Sequence, residues 1–168
     1  MNRRTFTSLI RFAGTLLAAC ALGGVPLAHA HSCSNTTGAG TWAFTVTGTV
    51  VLPTGVVVPV AQVGSFKQDS SGDLIGSQTR SLGGGVAQET FTGTTSTNPD
   101  CTGQVTVYVY DKQSGALVRT STLDFILVDD GKEARAIVTS IVLPNGASLG
   151  PVLTVEYKRV EATKRKPQ

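Results

Sequence analysis

The chain has 168 residues, a formal net charge of +3 and 40% hydrophobic residues, with only two histidines and three cysteines. Both histidines, His29 and His31, lie near the start, so neither a Ser-His-Asp nor a Cys-His catalytic arrangement has an interior base. Zinc sites built from His and Cys lack ligands for the same reason.

The first thirty residues read as an export signal rather than as part of a fold. Arg3 and Arg4 give a basic start, 9–21 is mostly apolar, and Ala28-His29-Ala30 fits a small-x-small cleavage site. The apolar run is too short to cross a bilayer of roughly 30 Å as a helix. Arg3-Arg4-Thr5-Phe6 resembles the twin-arginine signal of bacteria, so the sequence fits either that route or ordinary secretion. Leu17-Ala18-Ala19-Cys20 resembles a lipoprotein cleavage box, which sets a lipid anchor at Cys20 against a soluble secreted or periplasmic product. No membrane span is expected. Removal of the signal takes away Arg3, Arg4 and Arg11, and the 11 remaining basic residues balance 11 acidic ones. Lys164, Arg165 and Lys166 sit in a polar tail over 161–168, so the body carries no basic footprint for nucleic acid.

Cleavage leaves Cys33 and Cys101 as a pair, and an oxidising compartment favours a disulfide between them. That bridge closes a loop of about seventy residues, which the chain-entropy model values at roughly 4 kcal/mol. It pins the N-terminal arm to the middle of the domain.

The mature chain, roughly 138 residues, suffices for one core but not two domains. It shows short β-rich runs between turn clusters at 53–55, 69–72, 83–84, 98–103, 111–115, 129–132 and 144–150. These predict eight strands, at 41–52, 56–68, 73–82, 85–95, 103–111, 116–128, 133–143 and 151–160. Short links imply that sequential neighbours pair, and eight such strands close into an all-β, antiparallel, up-and-down barrel over 31–160. Alternation supports it: Trp42, Phe44, Val46, Val50 and Leu52 share one face of the first strand, with Thr45, Thr47 and Thr49 on the other. Val105, Val107 and Val109 do the same in the fifth, and Leu153, Val155, Tyr157 and Arg159 in the last. Apolar residues on both faces at 125–128 and 136–142 suggest a second packing surface, of the kind that an oligomer contact between copies of the chain would use. Gly48, Gly64, Gly76 and Gly93 lie within strands, as bends in a curved sheet require.

Gly40-Thr41-Trp42 resembles the G-x-W opening of the lipocalin and avidin barrels (calycins), in which a basic residue of the last strand packs over the tryptophan. The resemblance implies a barrel-closing cation–π pair between Trp42 and Arg159. The departures are a missing second lipocalin motif, no helix after the eighth strand, and a single tryptophan, which argues against an avidin-type biotin site. A second resemblance rests on Cys33-Ser34-Asn35, Gly40-Thr41-Trp42-Ala43-Phe44 and Asn98-Pro99-Asp100-Cys101-Thr102-Gly103. These motifs are similar to those of a family of exported bacterial proteins of unknown function. That family implies the disulfide and a small barrel similar to those of allene oxide cyclase and dirigent proteins, and it offers no catalytic residues to transfer.

Other chemistry is mostly excluded, and no cofactor is expected. His31 alone at a new N-terminus lacks the second histidine that a copper-binding oxygenase needs. Gly83-Gly84-Gly85 reads as a hairpin turn rather than a phosphate loop. Asp129-Asp130-Gly131 and 69–73 carry calcium-type oxygens, but Asp-Gly hairpins need no metal. Asn35-Thr36-Thr37 is formally a glycosylation acceptor.

One polar constellation remains. A two-residue turn at Gly83-Gly84 pairs Leu82 with Gly85, Arg80 with Ala87, Gln78 with Glu89 and Gly76 with Phe91. Phe91 then places Gln78, Arg80 and Glu89 on the core face, and Gln62 shares the parity of Val58, Val60 and Phe66. A register shifted by one residue sends the cluster to solvent instead. Three functions fit. The barrel binds a small, partly apolar molecule oriented by Gln62, Gln78, Arg80 and Glu89. Alternatively, a filled barrel acts as a structural or surface-interaction protein through an exterior that includes Tyr108 and Tyr110. Least favoured is a cofactor-free cyclase or isomerase using Glu89 as acid or base, which requires that desolvation raise its pKa.

Overall fold

A computed structural model describes residues 32–160. The signal segment with Cys20, the residue His31 and the basic tail lie outside the described residues. Eight strands form a closed barrel in sequential order. They are β1 (Gly40–Val51), β2 (Val57–Gln68), β3 (Asp73–Leu82), β4 (Gly85–Thr97), β5 (Thr102–Asp111), β6 (Leu117–Val128), β7 (Glu133–Val142) and β8 (Ser148–Arg159). Every neighbouring pair is antiparallel, and the barrel shuts where β1 meets β8 from Trp42↔Arg159 to Val51↔Gly150. Closure leaves no edge strand with unpaired backbone groups.

The β-branched and aromatic residues of each strand alternate between core and solvent, and that alternation drives the architecture. Phe44, Val46, Val50, Phe91, Val105, Val109, Leu153 and Val155 are buried inside, while Thr45, Thr47, Thr92 and Thr154 face water. The β3–β4 hairpin has the expected register, Gln78↔Glu89 and Gly76↔Phe91 included. Its turn uses Gly83 (φ 57°) and Gly84 (φ 92°), whose left-handed backbone suits a tight two-residue loop.

Antiparallel order gives the barrel two unlike ends. At the first end lie the β2–β3, β4–β5 and β6–β7 turns and a four-residue helix, α1 (Asn35–Gly38), which precedes β1. The Cys33–Cys101 disulfide ties the segment before α1 to the β4–β5 turn. Trp42 is buried below α1, its Nε1 donating to Gly38 O at 2.8 Å. The Arg159 guanidinium lies 4.9 Å from the Trp42 ring centroid and donates to Thr37 O, Ala39 O and Gly131 O. One arginine thus links the last strand, the helix and the β6–β7 turn. We call this end the floor. The other end carries the β1–β2, β3–β4, β5–β6 and β7–β8 hairpins.

One expectation is met and one needs correction. Segments 125–128 and 136–142 do carry apolar residues on both faces, with Leu127, Ala136, Val138 and Ile141 buried. β7 shifts register against both neighbours, so Val138 and Ile141, three residues apart, both point inward. Ile126 and Ile137 remain as outward-facing residues. The correction is local: Asp129-Asp130-Gly131 forms a short 3₁₀ turn, all three residues at positive φ, rather than a plain hairpin loop.

Candidate ligand cavity

The barrel is hollow. Its interior leaves about 110 Å³ to the centre of a water-sized molecule, several times the roughly 10–15 Å³ that a single water requires. Aromatic rings from three sides shape it. Phe66 packs against Trp42, Phe44, Phe91 and Tyr157 with ring centroids 5.9–6.4 Å apart. Valines and leucines of β1, β5, β6 and β8 complete a largely apolar wall.

Polar groups collect at each end. At the hairpin end, Glu89 is 1% exposed and accepts four hydrogen bonds. Gln78 Nε2 donates at 2.7 Å and Arg80 Nε at 2.8 Å, while Arg119 Nη1 and Nη2 clamp both carboxylate oxygens at 2.7 and 2.8 Å. Strand geometry explains the meeting. Glu89 and Gln78 are paired across β3–β4, and Arg119 stands opposite Val109 on β6, reaching over β5 to the carboxylate. Burial alone would raise the Glu89 pKa. The Arg119 hydrogen bonds and charge, helped by Arg80 and Gln78, outweigh it and hold the carboxyl down at about 2. The expectation of a raised Glu89 pKa is therefore overturned: two guanidiniums supply more than desolvation removes.

Gln62 and Gln78 face the cavity beside Arg119, and Gln62 is the register partner of Arg80. The structure thus gathers Gln62, Gln78 and Arg80 around Glu89 as the hub, but of these four only Gln62 and Gln78 line the cavity, and Gln62 makes no hydrogen bond to Glu89.

The floor is also polar. Buried Gln68 accepts from Thr95 Oγ1 at 3.1 Å and faces the backbone of Asn35. Asn35 in turn accepts from Thr97 N at 2.9 Å and donates to Ser71 O at 2.7 Å. Gly38 closes the cavity here, and a Cβ on it would stand 2.8 Å from the Gln68 amide. Thr97 Oγ1 lines the cavity and is buried with no partner among the described residues. Tyr157 adds a phenol on the wall, its pKa pushed up by burial and its hydroxyl with no hydrogen bond among the described residues.

Sequence reasoning missed Arg119, Thr97 and α1. Arg119 was readable in principle, because it shares the parity of Ser121, Leu123 and Leu127, all buried. Asp69, named for its calcium-type oxygens, directs Oδ1 to Ser71 N, Ser71 Oγ, Gly72 N and Asp73 N within its own turn. Among the described residues, no group of three or more His, Cys, Asp or Glu side chains is placed to hold a metal.

No family model matches the chain. No curated protein matches it either. Among solved structures, the chain is similar to a Nitrosomonas europaea protein provisionally named AttH, with 11% identity and a TM-score of 0.37. That alignment covers 76% of this chain, which spans about half (53%) of the other.

Proposed function

We propose that this protein is a carrier or binder of a small, partly apolar molecule held inside the barrel. The observation that carries this reading is the cavity itself, apolar along its walls and polar at both ends. A pocket of that make-up suits a compact amphiphile, whose body is desolvated while a few polar groups fix its orientation. A buried hydroxyl without a partner among the described residues, at Thr97, is the kind of group that a ligand's polar atoms satisfy.

The cyclase or isomerase reading is weaker. An acid or base must exchange protons near neutral pH, and Glu89 stays ionised with both oxygens already engaged. The filled-barrel reading needs an interior without room. The disulfide suits an oxidising compartment, and no helix among the described residues is long and apolar enough to cross a membrane. We therefore place the binder outside the cytoplasm.

Trp42 is the sole tryptophan and lines the cavity, so its emission reports occupancy. Titration with 1-aminoanthracene, an uncharged apolar fluorophore, is expected to quench Trp42 saturably at one molecule per chain. Native mass spectrometry of protein from its own host is expected to show a retained small molecule. Val107→Phe, which fills the cavity from its wall, should abolish both signals. Absence of saturable quenching together with a bare mass would end the proposal.

A further inference from the structure

The unused hydrogen-bonding capacity at the hairpin end narrows the ligand class. A carboxylate offers about four acceptor sites, and all those of Glu89 are engaged: Oε1 by Arg80 and Arg119, Oε2 by Gln78 and Arg119. The donors are not exhausted. Arg80 gives only Nε to Glu89, leaving Nη1 and Nη2 without partners among the described residues. Arg119 gives both Nη atoms and leaves Nε, and the Gln62 amide has no partner among the described residues. Gln62 and Arg80 stand directly opposite each other on β2 and β3, so their Cβ atoms are about 5 Å apart.

Charge points the same way. Two guanidiniums share one carboxylate, and Arg119 is 89% buried as a side chain, Arg80 79%. The nearby charges on neighbouring strands do not cancel the excess inside. Asp111, opposite Glu89 on β5, turns Oδ1 to Gln113 N, Ser114 N and Ser114 Oγ, and makes no ion pair with either arginine. It lies half-buried at the rim, where water and salt weaken its effect on the interior. Lys112 extends to Gln88 on the outer face.

The floor, by contrast, is latched. α1 is held by the Asn35 hydrogen bonds, by Trp42, by Arg159 and by the disulfide. At the other end Leu52, Val58, Leu82, Val118 and Leu149 pack against the core, and the cavity stops short of them at Gln62, Gln78 and Arg119.

We propose that the cavity takes an amphiphile with an anionic head, a carboxylate in the simplest case. The head sits on the N–H groups of Gln62 and Arg119 that line the cavity, with Arg80 adding its charge from behind Glu89, and the apolar body points toward Phe66 and Trp42. This rests on the binding reading above and specifies its ligand. A cationic head finds no unengaged carboxylate in the cavity, and a neutral head leaves the arginine excess uncompensated.

The test compares decanoate, decan-1-ol and decyltrimethylammonium below their micelle concentrations, by Trp42 emission. Decanoate should bind at least about tenfold tighter than decanol, the difference expected of a charge-assisted over a neutral hydrogen bond, and the cation most weakly. Arg80→Met should narrow the decanoate–decanol gap by weakening decanoate the more. Should that variant fold poorly, Gln62→Leu, which breaks no hydrogen bond within the protein, carries the same test. Equal binding of decanoate and decanol overturns the anionic head and leaves the cavity reading standing. Binding of 1-aminoanthracene without any alkyl probe does the same, whereas no binding of any probe removes both.

Discussion

Glu89 has its charge almost wholly enclosed and is kept ionised by two arginines from different strands. Removing one partner of a buried ion pair leaves the other uncompensated, at a cost of roughly 3–5 kcal/mol. Glu89→Gln is therefore expected to lower the urea midpoint at pH 7 strongly, with Arg80 and Arg119 left facing a neutral amide. An unchanged midpoint would mean that the cluster contributes nothing to the fold. The same group sets an acid limit. Its folded pKa of about 2 lies below the ordinary 4.5, so its stabilisation is complete above pH 4.5 and is lost as pH falls from there toward 2. The shift corresponds to ~3 kcal/mol. Urea midpoints of the native protein should fall across that window, and those of Glu89→Gln should fall less. Gln78, Arg80 and Glu89 were legible in the sequence because Phe91 anchors the parity of β4 and two glycines fix the hairpin register. Arg119 was hidden because it lies two strands away from Glu89, in a segment where the apolar residues after it drew attention to both faces. No alternation pattern states which inward residues face each other across a barrel.

At the scale of elements, strands were readable to within a few residues because glycine, proline and aspartate clusters punctuate them. The short helix was not. Four residues, Asn-Thr-Thr-Gly, offer no helical period, and what holds α1 is tertiary: the Asn35 side chain bridges Thr97 N and Ser71 O across two turns. Asn35→Ala leaves the Thr97 N–H without its acceptor in a part-buried place, at about 1–3 kcal/mol. The effect should be local, since the β1–β8 seam does not pass through Asn35. Hydrogen exchange at the Thr97 amide and the Trp42 indole is expected to accelerate, while amides in the middle of β7 keep their protection. Uniform acceleration throughout the barrel would show instead that α1 is part of the global folding unit. The register shifts in β6 and β7 escaped sequence reading for a similar reason: Val138 and Ile141 look out of phase until the neighbouring strands show where the ladder slips.

For the molecule as a whole, closure and hollowness have different origins. Closure follows from local facts, short links and two-faced strands, and was legible. The cavity depends on how the summed volume of inward side chains compares with the barrel's girth, which no single segment encodes. The disulfide stands apart from both. It joins the segment before α1 to the β4–β5 turn, its cysteines 68 positions apart in sequence, whereas the barrel shuts through ten paired residues of β1 and β8. The covalent link constrains the unfolded chain, and the hydrogen-bonded seam constrains the folded one. Replacing both cysteines, Cys33→Ala with Cys101→Ala, should therefore keep the β-sheet circular dichroism at ordinary temperature while lowering stability by about 4 kcal/mol on the chain-entropy model. The urea dependence should also steepen, because an uncrosslinked denatured chain exposes more surface. A double variant without β-sheet signal in buffer would show that the seam alone cannot hold the barrel shut. An unmoved midpoint would show that the bridge leaves the unfolded ensemble as it was.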